Sequence, residues 1–182
     1  LLSGSAPAGK IIAAPSPDLK LLALPYALYN DEDIANRVIY VEASRGCPFA
    51  CDFCLSSLDG PVRAFPLERL MPEWTKLLDR GARRFKFVDR TFNLDLNTAS
   101  AILKFFLERL QSGLFLHFEM VPDRFSGELY GLIKKFPAGA LQFEIGIQTF
   151  NEAVAARINR RQDNAAAQKN ILRLRRETNA YL

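Results

Sequence analysis

The chain contains 182 residues, 49% of them hydrophobic and 24% charged, and carries a net charge of +4. This length and composition predict one globular domain with a sizeable core. No apolar run approaches the roughly 20 residues that cross a membrane, and no segment has the form of a signal peptide, which excludes an integral membrane protein and favours a cytoplasmic location.

The first 37 residues lack sustained periodicity and hold four of the ten prolines. They are predicted to form a linker or N-terminal extension, residues 1–37, running over the surface of a domain that covers residues 38–182. Leu21, Leu22 and Tyr26 are its candidate anchors. The sequence starts with Leu rather than Met, so we expect a piece of a longer protein.

Strand-like and helical patterns alternate through the rest of the chain. Asn151 is predicted to cap a short helix, and a longer helix is predicted to start near Asp163. Glycines at 81 and 113 mark the ends of two earlier helices. This alternation predicts an α/β fold with parallel strands in about four β/α units. The strands are predicted at residues 38–43, 84–88, 114–120 and 141–147, with residues 180–182 as the start of a fifth.

All three cysteines, Cys47, Cys51 and Cys54, lie within eight residues of one loop that follows the first strand. The spacing lets three soft thiolates turn toward one centre, which suits zinc or an iron–sulfur cluster and leaves one coordination position open. The alternatives are three buried apolar cysteines, a disulfide with one free thiol, or a zinc site completed by His117. They are less favoured because the cysteines crowd into one loop, their number is odd, and the only histidine is distant in sequence.

The strand patterns also predict which side chains face the interior of a β/α barrel. With the apolar faces turned toward the helices, three glutamates and two basic residues face the lumen, namely Glu42, Glu119, Glu144, Arg84 and Lys86. Buried charges are costly unless paired or ligated. Internal ion pairs, such as Lys86 with Glu144, are one interpretation, and a polar ligand cavity is the favoured one.

The stretch from Ser44 through Cys47, Cys51 and Cys54 resembles the signature of the radical S-adenosylmethionine (SAM) superfamily, with the aromatic Phe53 before the last cysteine. The resemblance implies a [4Fe–4S] cluster held by the three thiolates, with SAM on the fourth iron. It also implies a partial parallel (β/α) barrel of six strands. Because about four units are present, residues 38–182 are expected to be a C-terminally truncated radical SAM core.

A second resemblance concerns the SAM contacts. Residues 146–151 and 159–163 are similar to the SAM-binding stretch of oxygen-independent coproporphyrinogen oxidases. By that similarity Glu119 and Gln148 would hold the ribose hydroxyls of SAM, and Arg160 its carboxylate, with Arg161 as the alternative. A carboxylate and an amide suit a diol, and a guanidinium suits a carboxylate.

One segment departs from the family pattern. Where many members end the second strand in Gly-Gly-Glu-Pro, this chain has Asp89 followed by Arg90. The contact to the SAM amino group would then come from Asp89 or backbone carbonyls beside it. This departure is more similar to the branch whose members carry an N-terminal cobalamin domain. No such domain lies in these residues, so cobalamin would come from a domain absent from this chain.

The resemblance implies an enzyme that reductively cleaves SAM to a 5′-deoxyadenosyl radical, for hydrogen abstraction or cobalamin-assisted methyl transfer. It implies an electron donor such as flavodoxin or ferredoxin, and a small-molecule or macromolecular substrate that the sequence does not define. The fragment alone is expected to be inactive. Seven basic and two acidic residues between positions 157 and 177 predict a solvated helix face rather than a nucleic-acid surface.

The competing class is a non-catalytic metal-binding module, either structural zinc or iron–sulfur electron transfer. Glu119, Gln148 and Arg160 discriminate between the two classes, because a structural metal has no need of a polar pocket beside it.

Overall fold

The computed structural model describes residues 16–58 and 60–182. Its main sheet has four parallel strands in the order β1-β4-β5-β6, and a separate antiparallel pair, β2 and β3, follows β1. The predicted parallel α/β fold is confirmed. The strands are β1 (Ile39–Val41), β2 (Ser44–Arg45), β3 (Arg63–Ala64), β4 (Arg84–Phe87), β5 (Phe115–Met120) and β6 (Leu141–Ile145).

Within the described residues six α-helices accompany the strands, and the predicted cap at Asn151 and the predicted helix start near Asp163 are confirmed. The side chain of Asn151 accepts from Val154 N, and that of Asp163 accepts from Ala166 N, so each satisfies one free N–H of a first helical turn. The helices are α1 (Asp31–Asn36), α2 (Leu67–Asp79), α3 (Leu96–Glu108), α4 (Gly127–Ile133), α5 (Glu152–Arg157) and α6 (Asn164–Glu177).

One face of the sheet packs with α2, α3 and α4 in a core rich in aromatic rings. The ring of Phe118 lies 4.6 Å from that of Phe87 and 4.0 Å from that of Phe92, and Trp74 of α2 meets Phe87 edge-on at 5.3 Å. Such pairs add to the free energy gained by burying each ring. The alternating strand pattern therefore predicted the apolar face correctly.

The opposite face of the sheet is polar, as predicted. Lys86, His117 and Gln142 lie side by side in the register of β4, β5 and β6, and Glu119 lies beside Glu144. The Nζ of Lys86 is 3.6 Å from Glu144 Oε2, so the ion pair considered as an alternative is present. It lies on the same face as the polar cavity described below, so both interpretations of this face apply.

The outer edge of β1 is covered by tyrosine hydroxyls from the N-terminal region. Tyr29 Oη accepts from Tyr40 N at 3.0 Å and donates to Tyr40 O at 3.2 Å, and Tyr26 Oη pairs in the same way with Glu42 N and O. These contacts satisfy backbone groups that an edge strand otherwise exposes.

The described part of the predicted linker therefore has local structure that sequence patterns did not indicate. It contains a 3-10 turn, Pro25–Leu28, and the short helix α1. Of the three predicted anchors, Tyr26 is buried and Leu22 packs partly against the core, whereas Leu21 is 82% exposed. The boundary of the extension at residue 37 stays a prediction, and residues 1–15 lie outside the described residues.

At the other edge, the outer side of β6 pairs with the chain near Tyr181. Phe143 N donates to Tyr181 O at 2.8 Å, and Tyr181 N donates to Leu141 O at 2.9 Å. The predicted fifth strand is thus represented by one parallel bridge, between Gln142 and Tyr181. In the described ranges, no helix is both long enough and apolar enough to cross a membrane.

Candidate functional site

The cysteine loop lies between β2 and β3, at the carboxyl end of β1. Gly46 opens it with φ of +104°, and a Cβ at this position would lie 2.7 Å from Pro61 O. A glycine is needed both for the left-handed backbone and for this close approach. Within the loop, Cys54 N donates to Cys51 O at 3.1 Å, which forms a turn between the last two cysteines.

The three thiols are free and line one cavity of about 220 Å³. The Cys51 side chain is buried, and Cys47 and Cys54 are half-buried. Among the described residues, no three His, Cys, Asp or Glu side chains converge tightly enough to hold a single metal ion. The thiols instead share the wall of the cavity.

The other walls come from the ends of β4, β5 and β6 and from the turn between α5 and α6. Four of the five cofactor-binding residues predicted from sequence line this cavity together with the cysteines, and they are Phe53, Glu119, Gln148 and Arg160. These residues are up to 113 positions apart in the chain, from Cys47 to Arg160. The fold therefore gathers the predicted residues at the carboxyl edge of the sheet, where sites of parallel α/β folds occur.

Asp89 is the predicted site residue that the fold does not bring to the cavity. Its carboxyl is 2% exposed and accepts from Ala43 N at 2.9 Å and from Ser44 Oγ at 2.6 Å. A direct contact from this side chain to a cofactor in the cavity is therefore not supported. The backbone beside it remains available, since Arg90 and Thr91 line the cavity.

Burial raises the pKa of Asp89 to about 6, although the hydrogen bonds from Ala43 and Ser44 act in the opposite direction. The carboxyl thus ties the end of β4 to Ala43 and Ser44, which lead into the cysteine loop. These contacts depend on the adjacency of β1 and β4, which the local sequence around Asp89 does not reveal.

Asn93, further along the same departure from the family pattern, is fully buried. Its side-chain oxygen accepts from Val121 N at 2.7 Å, and its amide donates to Val121 O at 2.9 Å and to Arg124 O. Asp89 and Asn93 thus form buried polar connections from the segment after β4 to the ends of β1 and β5.

Glu119 projects into the cavity and forms an ion pair with Arg90, whose Nη1 lies 3.2 Å from Glu119 Oε1. Arg90 and Glu144 also line the cavity. The sequence placed Arg90 at a strand end and Glu144 on the lumen face, but neither was predicted as a cofactor contact. The feature of the sequence that could have assigned both residues to the site is their position at or near the ends of predicted strands.

Gln148 and Arg160 come from two turns with unusual backbone. Gln148 has φ of +66°, and Asn159, just before Arg160, has φ of +55°. Such values are uncommon for residues other than glycine and accumulate at functional sites. Arg161 is exposed and does not line the cavity, so the arrangement favours Arg160 over this alternative.

The electrostatics of the cavity bear on how the thiols behave. Burial raises the pKa of the Cys47 thiol, and the nearby Cys54 and Cys51 raise it further, whereas Arg160 lowers it. A metal bound here would displace these protons, as metal binding by thiols requires. His117 is not part of the cavity lining, and its Nε2 lies 3.3 Å from Glu144 Oε2, so it is not placed to complete a zinc site with the cysteines.

Comparison with known proteins identifies the class. The model of the Radical SAM superfamily matches residues 41–179, and the chain belongs to this family. The superfamily uses a [4Fe–4S] cluster and SAM, and its members have related barrel-like folds.

Among curated proteins, the chain is similar to the ribosomal protein uS12 methylthiotransferase RimO. It is 29% identical to that of Trichlorobacter lovleyi over 147 residues, covering 76% of this chain and 32% of the relative. For RimO of Geotalea uraniireducens the identity is 27% over 176 residues, covering 89% of this chain and 39% of the relative. The chain thus spans about a third of the length of these relatives.

Among solved structures, the radical SAM methyltransferase TsrM from Kitasatospora setae, with cobalamin and a [4Fe–4S] cluster bound, matches with a TM-score of 0.67. The match has 18% identity and covers 79% of this chain and 28% of TsrM. At this identity the likeness concerns the fold alone.

The residues present at the cavity fit a cluster and SAM. Three free thiols are the ligand set of a cluster with one open iron. Beside them, Nε of Arg160 is buried and has no hydrogen-bond partner among the described residues. A buried donor without a partner is rare in proteins, and a ligand carrying an acceptor would satisfy it.

Proposed function

We propose that this chain is the cofactor-binding core of a radical SAM enzyme. In this proposal Cys47, Cys51 and Cys54 hold a [4Fe–4S] cluster, and SAM binds next to it in the same cavity. The observation that carries the proposal is that the three thiols share one cavity with Glu119, Gln148 and Arg160, which come from separate elements of the fold.

Each proposed SAM contact has a physical reason. Glu119 and Gln148 would take the ribose hydroxyls, because a carboxylate and an amide oxygen accept from a diol. Arg160 would take the SAM carboxylate through donors that its protein contacts leave free, Nε among them. Phe53 lies on the loop beside Cys54 and offers an apolar surface. The amino group would meet backbone near Arg90 rather than the carboxyl of Asp89.

When bound, the cluster and SAM supply a 5′-deoxyadenosyl radical for hydrogen abstraction or, with cobalamin from another domain, methyl transfer. The protein holds the cluster at the loop and orients SAM across the ends of β5 and β6. The charged residues at the cavity, Arg90, Glu119, Glu144 and Arg160, would fix that orientation.

The substrate and partners extend this proposal. RimO is named for its action on a ribosomal protein, and TsrM is named as a methyltransferase. The proposed class therefore includes transfer to a macromolecular substrate and transfer to a small one. An electron donor such as flavodoxin or ferredoxin would reduce the cluster. A cytoplasmic location agrees with three unpaired thiols, which persist in a reducing compartment.

Anaerobic reconstitution tests the cluster. We expect about four irons per chain and absorption in the iron–sulfur charge-transfer region, because three thiolates and one open iron define this cluster type. Replacing any one of the three cysteines by Ala should abolish loading. Stoichiometric zinc without this absorption would overturn the proposal in favour of a structural metal module.

Calorimetry on the reconstituted protein tests the SAM site. Arg160→Ala should weaken SAM binding by roughly 30- to 150-fold, the loss of a charge-assisted contact of about 2–3 kcal/mol. Arg160→Lys should recover only part, because an ammonium lacks the planar fork. Arg161→Ala is the matched control, since it removes the same charge one residue away, outside the cavity. Equal affinities in all variants would exclude this turn from the SAM site.

A further inference from the structure

The turn between α5 and α6 holds the cysteine loop through contacts that need no ligand. Asp52 N donates to Ile158 O at 3.1 Å, and Asn159 Nδ2 donates to Asp52 Oδ1 at 3.4 Å. Asn159, which makes the second of these contacts, has a left-handed backbone with φ of +55°. Two segments more than 100 residues apart in sequence are therefore joined directly beside the thiols.

Arg160 adds a contact to a thiol itself. Its Nη1 lies 3.9 Å from Cys51 Sγ, within the range of a hydrogen bond to sulfur, and its guanidinium lies 5.8 Å from the ring centroid of Phe49. Its Nη2 donates to Gly146 O and to Gln162 Oε1. The guanidinium is thus fixed from the β6 side, the loop side and its own turn.

The charge of this guanidinium is not neutralised locally. Arg90, the other arginine of the cavity, pairs with Glu119, whereas Arg160 forms no ion pair within the described ranges. Cys51 is the most deeply buried of the three cysteines. A positive group next to a buried sulfur acts through a medium of low dielectric constant, where charges interact more strongly than in water.

Hydrogen bonds to the ligand sulfurs are one of the means by which a protein sets the potential of an iron–sulfur cluster. An N–H donor and a positive charge both stabilise the form with more electron density on sulfur. That form is the reduced cluster, so such a contact raises the reduction potential.

We propose that Arg160 is a positioning residue for the cluster: it docks Cys51 and, through its Nη1 hydrogen bond to the Cys51 sulfur, makes the cluster easier to reduce. The inference rests on the proposed function, because it requires a cluster at the three cysteines. It adds a second role to Arg160 that does not involve SAM, since Nη1 serves the sulfur while other donors of the group remain for a ligand.

The test is a redox titration of the reconstituted protein without SAM, followed by electron paramagnetic resonance of the reduced cluster. We expect Arg160→Gln to shift the midpoint potential to a more negative value. Arg160→Lys keeps the charge without the fixed fork, so its midpoint potential should lie between those of Arg160→Gln and the wild type. Arg161→Gln is the matched control, because it removes an equal charge from an exposed position, and its potential should equal that of the wild type.

An unchanged potential in Arg160→Gln, or an equal shift in Arg161→Gln, overturns the inference. If the reconstituted protein still holds its iron, the proposed function is not affected by that result. If Arg160→Gln fails to load iron, the comparison of Arg160→Lys with the wild type decides by the same criterion. A wild-type protein that takes up no cluster overturns the proposed function, and this inference with it. The two failures are therefore distinguishable.

Discussion

Two groups of polar side chains lie at the carboxyl end of the same sheet, and they differ in how completely they are paired. The sealed group, Asp89 and Asn93, is buried, and its side-chain atoms bond to neighbouring strand ends. The open group, Glu119, Gln148 and Arg160, lines the cavity, and Nε of Arg160 has no partner in the part of the chain that the structure describes.

The difference separates scaffold from site. Buried polar groups whose bonding capacity is used within the protein contribute to stability and to the unique placement of loops. Polar groups with unused hydrogen-bonding capacity are stabilised most when a ligand binds to them. Variants of the sealed group should therefore change the free energy of unfolding, and variants of the open group should change ligand affinity.

The largest effect is expected in the sealed group, from Asn93→Ala. The change removes three hydrogen bonds and leaves the buried Val121 N–H without an acceptor, so the free energy of unfolding should fall by about 3–4 kcal/mol. Urea denaturation measures the loss. Asn97→Ala, at an exposed position of α3, is the control and should stay within about 0.5 kcal/mol of the wild type. A comparable loss in the control would break the distinction between the two groups.

Asp89→Asn sharpens the comparison through pH. The pKa of Asp89 is raised from 3.8 to about 6 in the folded protein. The folded state thus holds the proton more tightly than the unfolded state, and wild-type stability is lost as pH rises from about 4 through 6. The Asn variant cannot ionise, so its free energy of unfolding relative to that of the wild type should rise by about 2–3 kcal/mol between pH 4 and pH 7.5.

Urea denaturation of Asp89→Asn and the wild type at several pH values measures this difference. A constant difference at all pH values would show that the ionised carboxyl is not penalised by burial in the fold.

In the open group, Glu119→Gln should weaken SAM binding about tenfold, because a neutral amide accepts from the ribose hydroxyls more weakly than a carboxylate. Its effect on unfolding should stay below about 1 kcal/mol, since the partly exposed pair with Arg90 contributes little to stability. Calorimetry on the reconstituted protein and urea denaturation supply the two values. A large loss of stability with unchanged affinity would move Glu119 into the sealed group.

The smallest effect is expected from Tyr29→Phe, at the edge of β1. Removing the hydroxyl that bonds to both backbone groups of Tyr40 should cost about 1 kcal/mol of unfolding free energy. SAM affinity should not change, because Tyr29 does not line the cavity. Thermal or urea denaturation measures the first expectation and calorimetry the second, and a drop in affinity would show that the edge and the cavity are coupled.

Local patterns predicted most of the fold and the contents of the site. The strands and helices follow from apolar periodicity, and the cysteine motif is contained in a few consecutive residues. Contacts between segments that are far apart in the sequence were predicted less completely. The contact of Arg160 with Cys51 joins residues 109 positions apart, and no local pattern indicates it.

Other features escaped prediction for related reasons. The antiparallel pair β2 and β3 has only two residues per strand, too short for any alternation to appear. The tyrosines of the N-terminal region find their partners on β1, so their role appears only once the edge of the sheet is known. Asp89 was predicted as a cofactor contact at the end of its strand, but its carboxyl bonds to Ala43 and Ser44, which follow β1 in the chain.

The tyrosine hydroxyls on β1 also determine how that strand exchanges its amide hydrogens with solvent. On an uncovered edge the outward amides exchange readily, but those of Tyr40 and Glu42 are bonded to phenolic oxygens of a segment outside the sheet. Their deuterium uptake should therefore be slow while that segment is docked, and both should be released together when it detaches. The amides of Tyr40 in β1 and of Glu42 just after it thus report on the attachment of residues 25–29, independently of the rest of the sheet.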